Sequence, residues 1–161
     1  MRIQELLVPE LQHEVMLTEK FLKRIPEDKL GWKPHNKSMS LLELGNHLAE
    51  IPGWITGAME MEEMNMDSYE SPKLKSVEEL IATLKKNASE AQESLKKEDS
   101  EYQKNWKMIV GGETVMDMPR IEVLRTMVLN QLPHHRAQMG VYFRLLDIPV
   151  PSTYGPSADE N

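Results

Sequence analysis

Asn130-Gln131-Leu132-Pro133-His134-His135-Arg136-Ala137-Gln138 interrupts what reads as the last long helix of the chain. Around it, Ile121, Leu124, Val128, Leu132, Met139, Tyr142 and Leu146 recur at helical spacing and form one apolar stripe. His135 falls on that stripe, and Gln131 lies one turn earlier on the same side. A polar pair that faces the interior of a helical protein has to be satisfied there. The reading of this stretch therefore sets both the fold and the search for a site.

Working outward, four segments carry the same helical periodicity. Leu7, Leu11, Val15, Thr18, Leu22 and Ile25 step by three and four and predict a first helix over Ile3 to Ile25, closed by Pro26. Ser40-Leu41-Leu42-Glu43 has the form of a capping box and starts a second helix. Its stripe is Leu41, Leu44, Leu48, Ile51, Ile55 and Ala58; His47 borders it, and Pro52-Gly53 predicts a bend just beyond. Ser76-Val77-Glu78-Glu79 is a second capping box, before a third helix from Val77 to about Lys97. Pro119 suits the first turn of the last helix, with Asp117 or Met118 near its cap.

The connections read differently. Glu27 to Met39 is turn-rich, and Trp32 within it is expected to dock on the end of the bundle, with a role in lining a site left open. Met59 to Ser71, rich in methionine and acid, reads as a helix end running into a solvated loop, in preference to an adaptable partner surface. Between Glu98 and Asp117 the period breaks, and Gly111-Gly112 between alternating residues predicts a short β-hairpin-like excursion. Residues 147–161, with Pro149, Pro151 and Pro156, predict an ordered, extended tail. The sum is an all-α four-helix bundle, a single domain over residues 1–161.

Composition narrows the function classes. A net charge of −7 with no basic stripe argues against nucleic acid as a partner. No run approaches the length of a membrane span and the N-terminus lacks an apolar signal core, so a cytoplasmic protein with no membrane partner is expected. With no cysteine, thiolate ligands and a catalytic thiol are excluded. His47 and His135 are the two histidines best placed to meet inside the bundle. They would form either a metal site or a polar cluster satisfied within the protein. His134 points about 100° from His135 on a helix and reads as a supporting or packing group. His13 and His35 read as exposed.

Trp32-Lys33-Pro34, Leu44-Gly45-Asn46-His47-Leu48, the Asn130 to Gln138 block and the tail Pro151-Ser152-Thr153-Tyr154-Gly155-Pro156-Ser157 together resemble the DinB-like family, over nearly the whole chain. The resemblance implies an up-down-down-up four-helix bundle, a homodimer, and a divalent metal such as zinc or nickel on three histidines. It also implies transfer of a low-molecular-weight thiol, or hydrolysis, as the class of reaction on a small-molecule substrate. His47 and His135 match two of the ligands, and Gln131 stands where the family has the third. An amide oxygen is a poorer ligand than imidazole for these ions, so Gln131 makes metal occupancy doubtful. Glu43 and Glu50, four before and three after His47, are candidate outer-shell or replacement ligands. Arg136 is a candidate anchor for an anionic substrate or one arm of a structural salt bridge. The competing expectation is a metal-free bundle that binds a small ligand or protein partner in the same cleft.

Overall fold

The computed structural model describes residues 1–161 as a mostly helical fold with a small three-stranded sheet. The long helices are α1 (Ile3–Leu22), α2 (Leu41–Glu50), α3 (Gly53–Glu60), α4 (Val77–Ser94) and α7 (Gln131–Leu145), with short helices α5 (Asp99–Tyr102) and α6 (Arg120–Val123). The strands are β1 (Glu63–Asn65), β2 (Asn105–Val110) and β3 (Glu113–Pro119).

α2 begins where its capping box predicts: Glu43 N–H donates to Ser40 Oγ at 3.2 Å and Ser40 N–H to Glu43 Oε2 at 2.7 Å. The bend after His47 is a break, because Pro52 cannot extend the hydrogen-bond ladder and α3 restarts at Gly53. α4 packs against α1, α2 and α3, while α7 closes the other side against α1 and α2. Leu11, Leu22, Leu44, Leu48, Leu80, Leu84, Leu132 and Phe143 from these helices are buried in one continuous core. No helix is long and apolar enough to cross a membrane.

Two expectations need correction. The methionine-rich tract is not simply a solvated loop. Its residues Glu63–Asn65 form β1, which pairs in parallel with β2 and widens the predicted hairpin to the order β1-β2-β3. Met64 within the strand and Met66 in the turn just after it are half-buried, although they look solvated when read as a loop. The last helix is not one regular α-helix either. A π-helical segment, Leu124–Leu129, separates α6 from α7, and β3 runs through to Pro119, itself the cap of α6. Pro133 has no N–H for the Leu129 carbonyl, so the α-ladder cannot continue unbroken through this region.

The β2–β3 hairpin turns at Gly111 (φ 59°) and Gly112 (φ 78°), the two consecutive left-handed residues that a type I′ turn demands. Beyond α7 the tail is anchored by side-chain contacts. Asp159 accepts from Arg144 at 2.7 Å and from Val150 N–H at 2.9 Å, while Glu160 accepts from Ser152 N–H and pairs with Arg24.

Candidate functional site

α2 and α7 place His47 and His135 in direct contact. Their Nε2 atoms are 3.0 Å apart and the rings meet edge to face with centroids at 4.4 Å. His135 is 9% exposed; the His47 side chain, at 25%, borders solvent. The pair is thus buried on one side and open on the other.

Both outer nitrogens face oxygen. His135 Nδ1 lies 2.9 Å from Gln138 Oε1, and His47 Nδ1 lies 3.6 Å from Glu50 Oε2. The Gln138 amide N–H in turn donates to His134 Nε2 at 3.1 Å, which fixes the amide with its oxygen toward His135. With Nδ1 of each ring carrying the proton toward its oxygen partner, both Nε2 lone pairs point at one another. Two facing lone pairs repel unless a cation or a shared proton lies between them.

On the His47 side the support continues through Glu50, which accepts a very short hydrogen bond from the Tyr69 hydroxyl. Tyr69 accepts from Trp54 Nε1 at 3.3 Å, and Trp54 packs its ring edge to face on His47 at 5.4 Å. Burial pushes the Glu50 carboxyl up, but hydrogen bonds from His47, Tyr69 and Ser71 outweigh it and hold its pKa below the ordinary range. Burial and the neighbouring carboxylate push Tyr69 up to about 12. Glu50 is therefore a fixed anion. Burial depresses the His135 pKa; the Gln138 hydrogen bond opposes this, and nearby His47 and His134 reinforce it. His135 is held neutral at pH 7.

The other expected site residues lie elsewhere. Gln131 does not join the pair: its amide donates to the Thr126 carbonyl at 3.1 Å, within the π-helical segment. The Glu43 carboxylate is engaged in the α2 capping box. Arg136 is 1% exposed and is used up in structure. It pairs with Glu14 at 2.7 Å and also donates to the Glu14 carbonyl, Thr18 Oγ1 and the Tyr154 hydroxyl. Trp32 docks on the bundle end against Tyr142, edge to face at 5.5 Å. His134 is exposed beside His135, ring centroids 4.8 Å apart.

The sequence profile of the DinB family matches residues 2–161. The chain belongs to the DinB family. Among solved structures, a DinB-like protein from Bacillus subtilis is similar at 16% identity, over 96% of this chain and 98% of that one, with a TM-score of 0.68. A second, from Bacillus cereus ATCC 10987, is similar at 20% identity over 89% and 92%, with a TM-score of 0.64. At these identities the likeness is one of fold. No curated protein matches this chain.

As a donor set for a divalent metal, the site offers two imidazole nitrogens, His47 Nε2 and His135 Nε2. The converging Nε2 atoms, each backed by oxygen at Nδ1, suit a borderline divalent cation. No third His, Asp or Glu stands close enough to make a three-residue cluster, and Gln131 is engaged with Thr126. Three residues that reading the sequence did not assign to the site prove to hold it: Gln138, Tyr69 and Trp54. Gln138, three residues after His135 on one helix face, was visible as an i,i+3 neighbour. Tyr69 reaches Glu50 from a loop and left no local signal.

Proposed function

We propose that this DinB-family protein holds a divalent cation, zinc or nickel in class, through His47 and His135, and uses it in thiol transfer to, or hydrolysis of, a small-molecule substrate. The observation that carries the reading is the mutual facing of the two Nε2 atoms at 3.0 Å, with His135 Nδ1 in hydrogen-bond distance of Gln138 Oε1 and His47 Nδ1 3.6 Å from the Glu50 carboxylate. Glu50, itself held by Tyr69, orients His47; Gln138 orients His135. Two imidazoles leave the remaining coordination positions open on the solvent side. When bound, the cation would supply Lewis acidity that makes a thiol or water nucleophilic at neutral pH. An up-down-down-up helix path and a homodimer belong to the same proposal, on the strength of family membership.

A second reading has its own observation. The Gln131 amide satisfies Thr126, and a single proton shared by the imidazoles would satisfy the pair without a cation. The protein would then be a metal-free bundle binding a small ligand or protein partner.

Titration of untagged, chelator-stripped protein with zinc and nickel separates the two. The first reading expects one equivalent bound at micromolar concentration, lost in His47→Ala, and tighter in Gln131→His. Absence of binding to the unsubstituted protein, with binding restored by Gln131→His, would establish the second. Sedimentation of the same samples tests the dimer.

A further inference from the structure

Glu50 stands on the wall of two clefts. One opens beside His47. The other, of about 370 Å³, contains neither histidine of the pair and is built from α3, α4 and the connection between β1 and α4. Small-molecule sites span roughly 300–1,000 Å³, so this cleft has room for a small organic ligand. Gly53 lets the Asn87 side chain lie close over the start of α3, because a Cβ there would stand 3.3 Å from Asn87 Cγ.

Most hydrogen-bond donors on this wall are spent inside the protein. The Tyr69 hydroxyl donates to Glu50, Trp54 Nε1 donates to the Tyr69 hydroxyl at 3.3 Å, and Asn87 Nδ2 donates to the Ala49 carbonyl at 2.9 Å. What the wall keeps for a ligand is electron-rich. Glu50 brings a carboxylate that is 5% exposed, Asn87 an amide oxygen, Trp54 and Tyr69 their rings, and Met64 a thioether. Thr83, one turn before Asn87 on the same face of α4, adds a hydroxyl. Lys86 is the one cation on the wall, and it belongs to the rim: its side chain is 73% exposed and lies 4.0 Å from Glu90.

We propose that this cleft binds a small alkylammonium ion, its charge set against the Glu50 carboxylate and its alkyl groups against Trp54, Tyr69 and Met64. An anion would be repelled by Glu50, and a neutral acceptor would find only Thr83 and Lys86 to donate to it. An organic cation is attracted by the carboxylate and by the aromatic rings together, and the flexible thioether adapts to its methyl groups. The Asn87 oxygen accepts an N–H or O–H of the same ion. The assignment uses neither Nε2 atom of the histidine pair, so it stands whether or not that pair holds a divalent cation.

The test uses the full chain, stripped of metal by chelator, with 15N-labelled indole nitrogens and choline as the probe. Its neutral carbon counterpart, 3,3-dimethyl-1-butanol, is the control. Saturable binding at millimolar choline is expected, with the Trp54 indole signal moving most among the three tryptophans. The alcohol should bind about tenfold more weakly. Glu50→Gln should weaken choline about tenfold and leave the alcohol unchanged. Lys86→Gln, which removes the rim cation from an exposed position, should tighten choline about twofold. Equal affinity for choline and the alcohol, shifts that do not saturate, or undiminished choline binding in Glu50→Gln would each overturn the proposal. If Glu50→Gln fails to fold, Lys86→Gln decides alone: choline affinity that stays the same or falls overturns it. Because every sample is metal-free, these outcomes are separate from those of the zinc and nickel titrations.

Discussion

Glu14 and Arg136 form a buried ion pair 122 residues apart in sequence, with Glu14 Oε2 2.7 Å from Arg136 Nη2 and both side chains under a tenth exposed. The Tyr154 hydroxyl completes it, donating to Glu14 Oε1 at 2.6 Å and accepting from Arg136 at 2.7 Å. α1, α7 and the tail are therefore joined at one point, one residue along α7 from His135.

Breaking that pair from one side strands a charge in the core. Arg136→Met is expected to lower unfolding stability by about 3–5 kcal/mol, whereas the double change Glu14→Gln with Arg136→Met should recover much of the loss. Urea unfolding of the three proteins checks this; equal stability of single and double variants would contradict it.

The histidine pair predicts a pH dependence. The folded pKa of His135 lies below its unfolded value of 6.5, so the unfolded chain binds the proton more readily. Stability from this group is full above pH 6.5 and falls as the pH drops through and below that value, with a limiting slope of about 1.4 kcal/mol per pH unit. Thermal unfolding in chelator from pH 7.5 to 5 should show the decline, and His135→Gln should flatten it.

Gln138→Leu removes the oxygen that holds the His135 Nδ1 proton and the donor to His134. The cost in stability is expected to be about 1 kcal/mol. Nitrogen chemical shifts of the His135 ring should show its proton redistributed toward Nε2, and any divalent-cation affinity should fall about tenfold. An unchanged tautomer would mean that the His47 contact alone sets it.

Two helical glycines should respond differently to alanine. A Cβ at Gly45 would come within 2.7 Å of Leu80 Cδ1, with Ile25 and Leu22 behind it, at the crossing of α2 and α4. The overpacking there is expected to exceed the helix-propensity gain and destabilise by about 1–2 kcal/mol. At Gly57 the close atom is Met64 Cε, the end of a flexible chain, so Gly57→Ala should be near neutral. Parallel melts of the two variants give the comparison.

The helices were legible because their signals are local. The Ser40 and Ser76 caps, the leucine spacing of α1, α2 and α4, and Gly111-Gly112 at the hairpin each depend on residues within a few positions of one another. His47 and His135 could be paired because His135 falls on an apolar stripe and His47 borders one. What escaped was non-local or irregular. β1 is three residues long and exists through its pairing with β2, more than 40 residues later, so its methionines read as loop. The π-helical segment shifted the last helix between Leu124 and Leu129, and Pro133 alone announced only a disturbance.

Asn130 to Gln138 holds both lessons. Sequence by itself determined that this stretch lies on a helix, that His135 faces inward, and that Gln131 precedes it by one turn on the same side, because helical periodicity and residue type are fixed by the order of the chain. Tertiary structure decided the rest: Gln131 turns to Thr126, Gln138 Oε1 meets His135 Nδ1 at 2.9 Å, Arg136 locks onto Glu14, and His47 meets His135 at 3.0 Å. Side-chain direction at a buried polar site follows from which donors and acceptors the surrounding elements leave unsatisfied, and that becomes defined only when the elements pack.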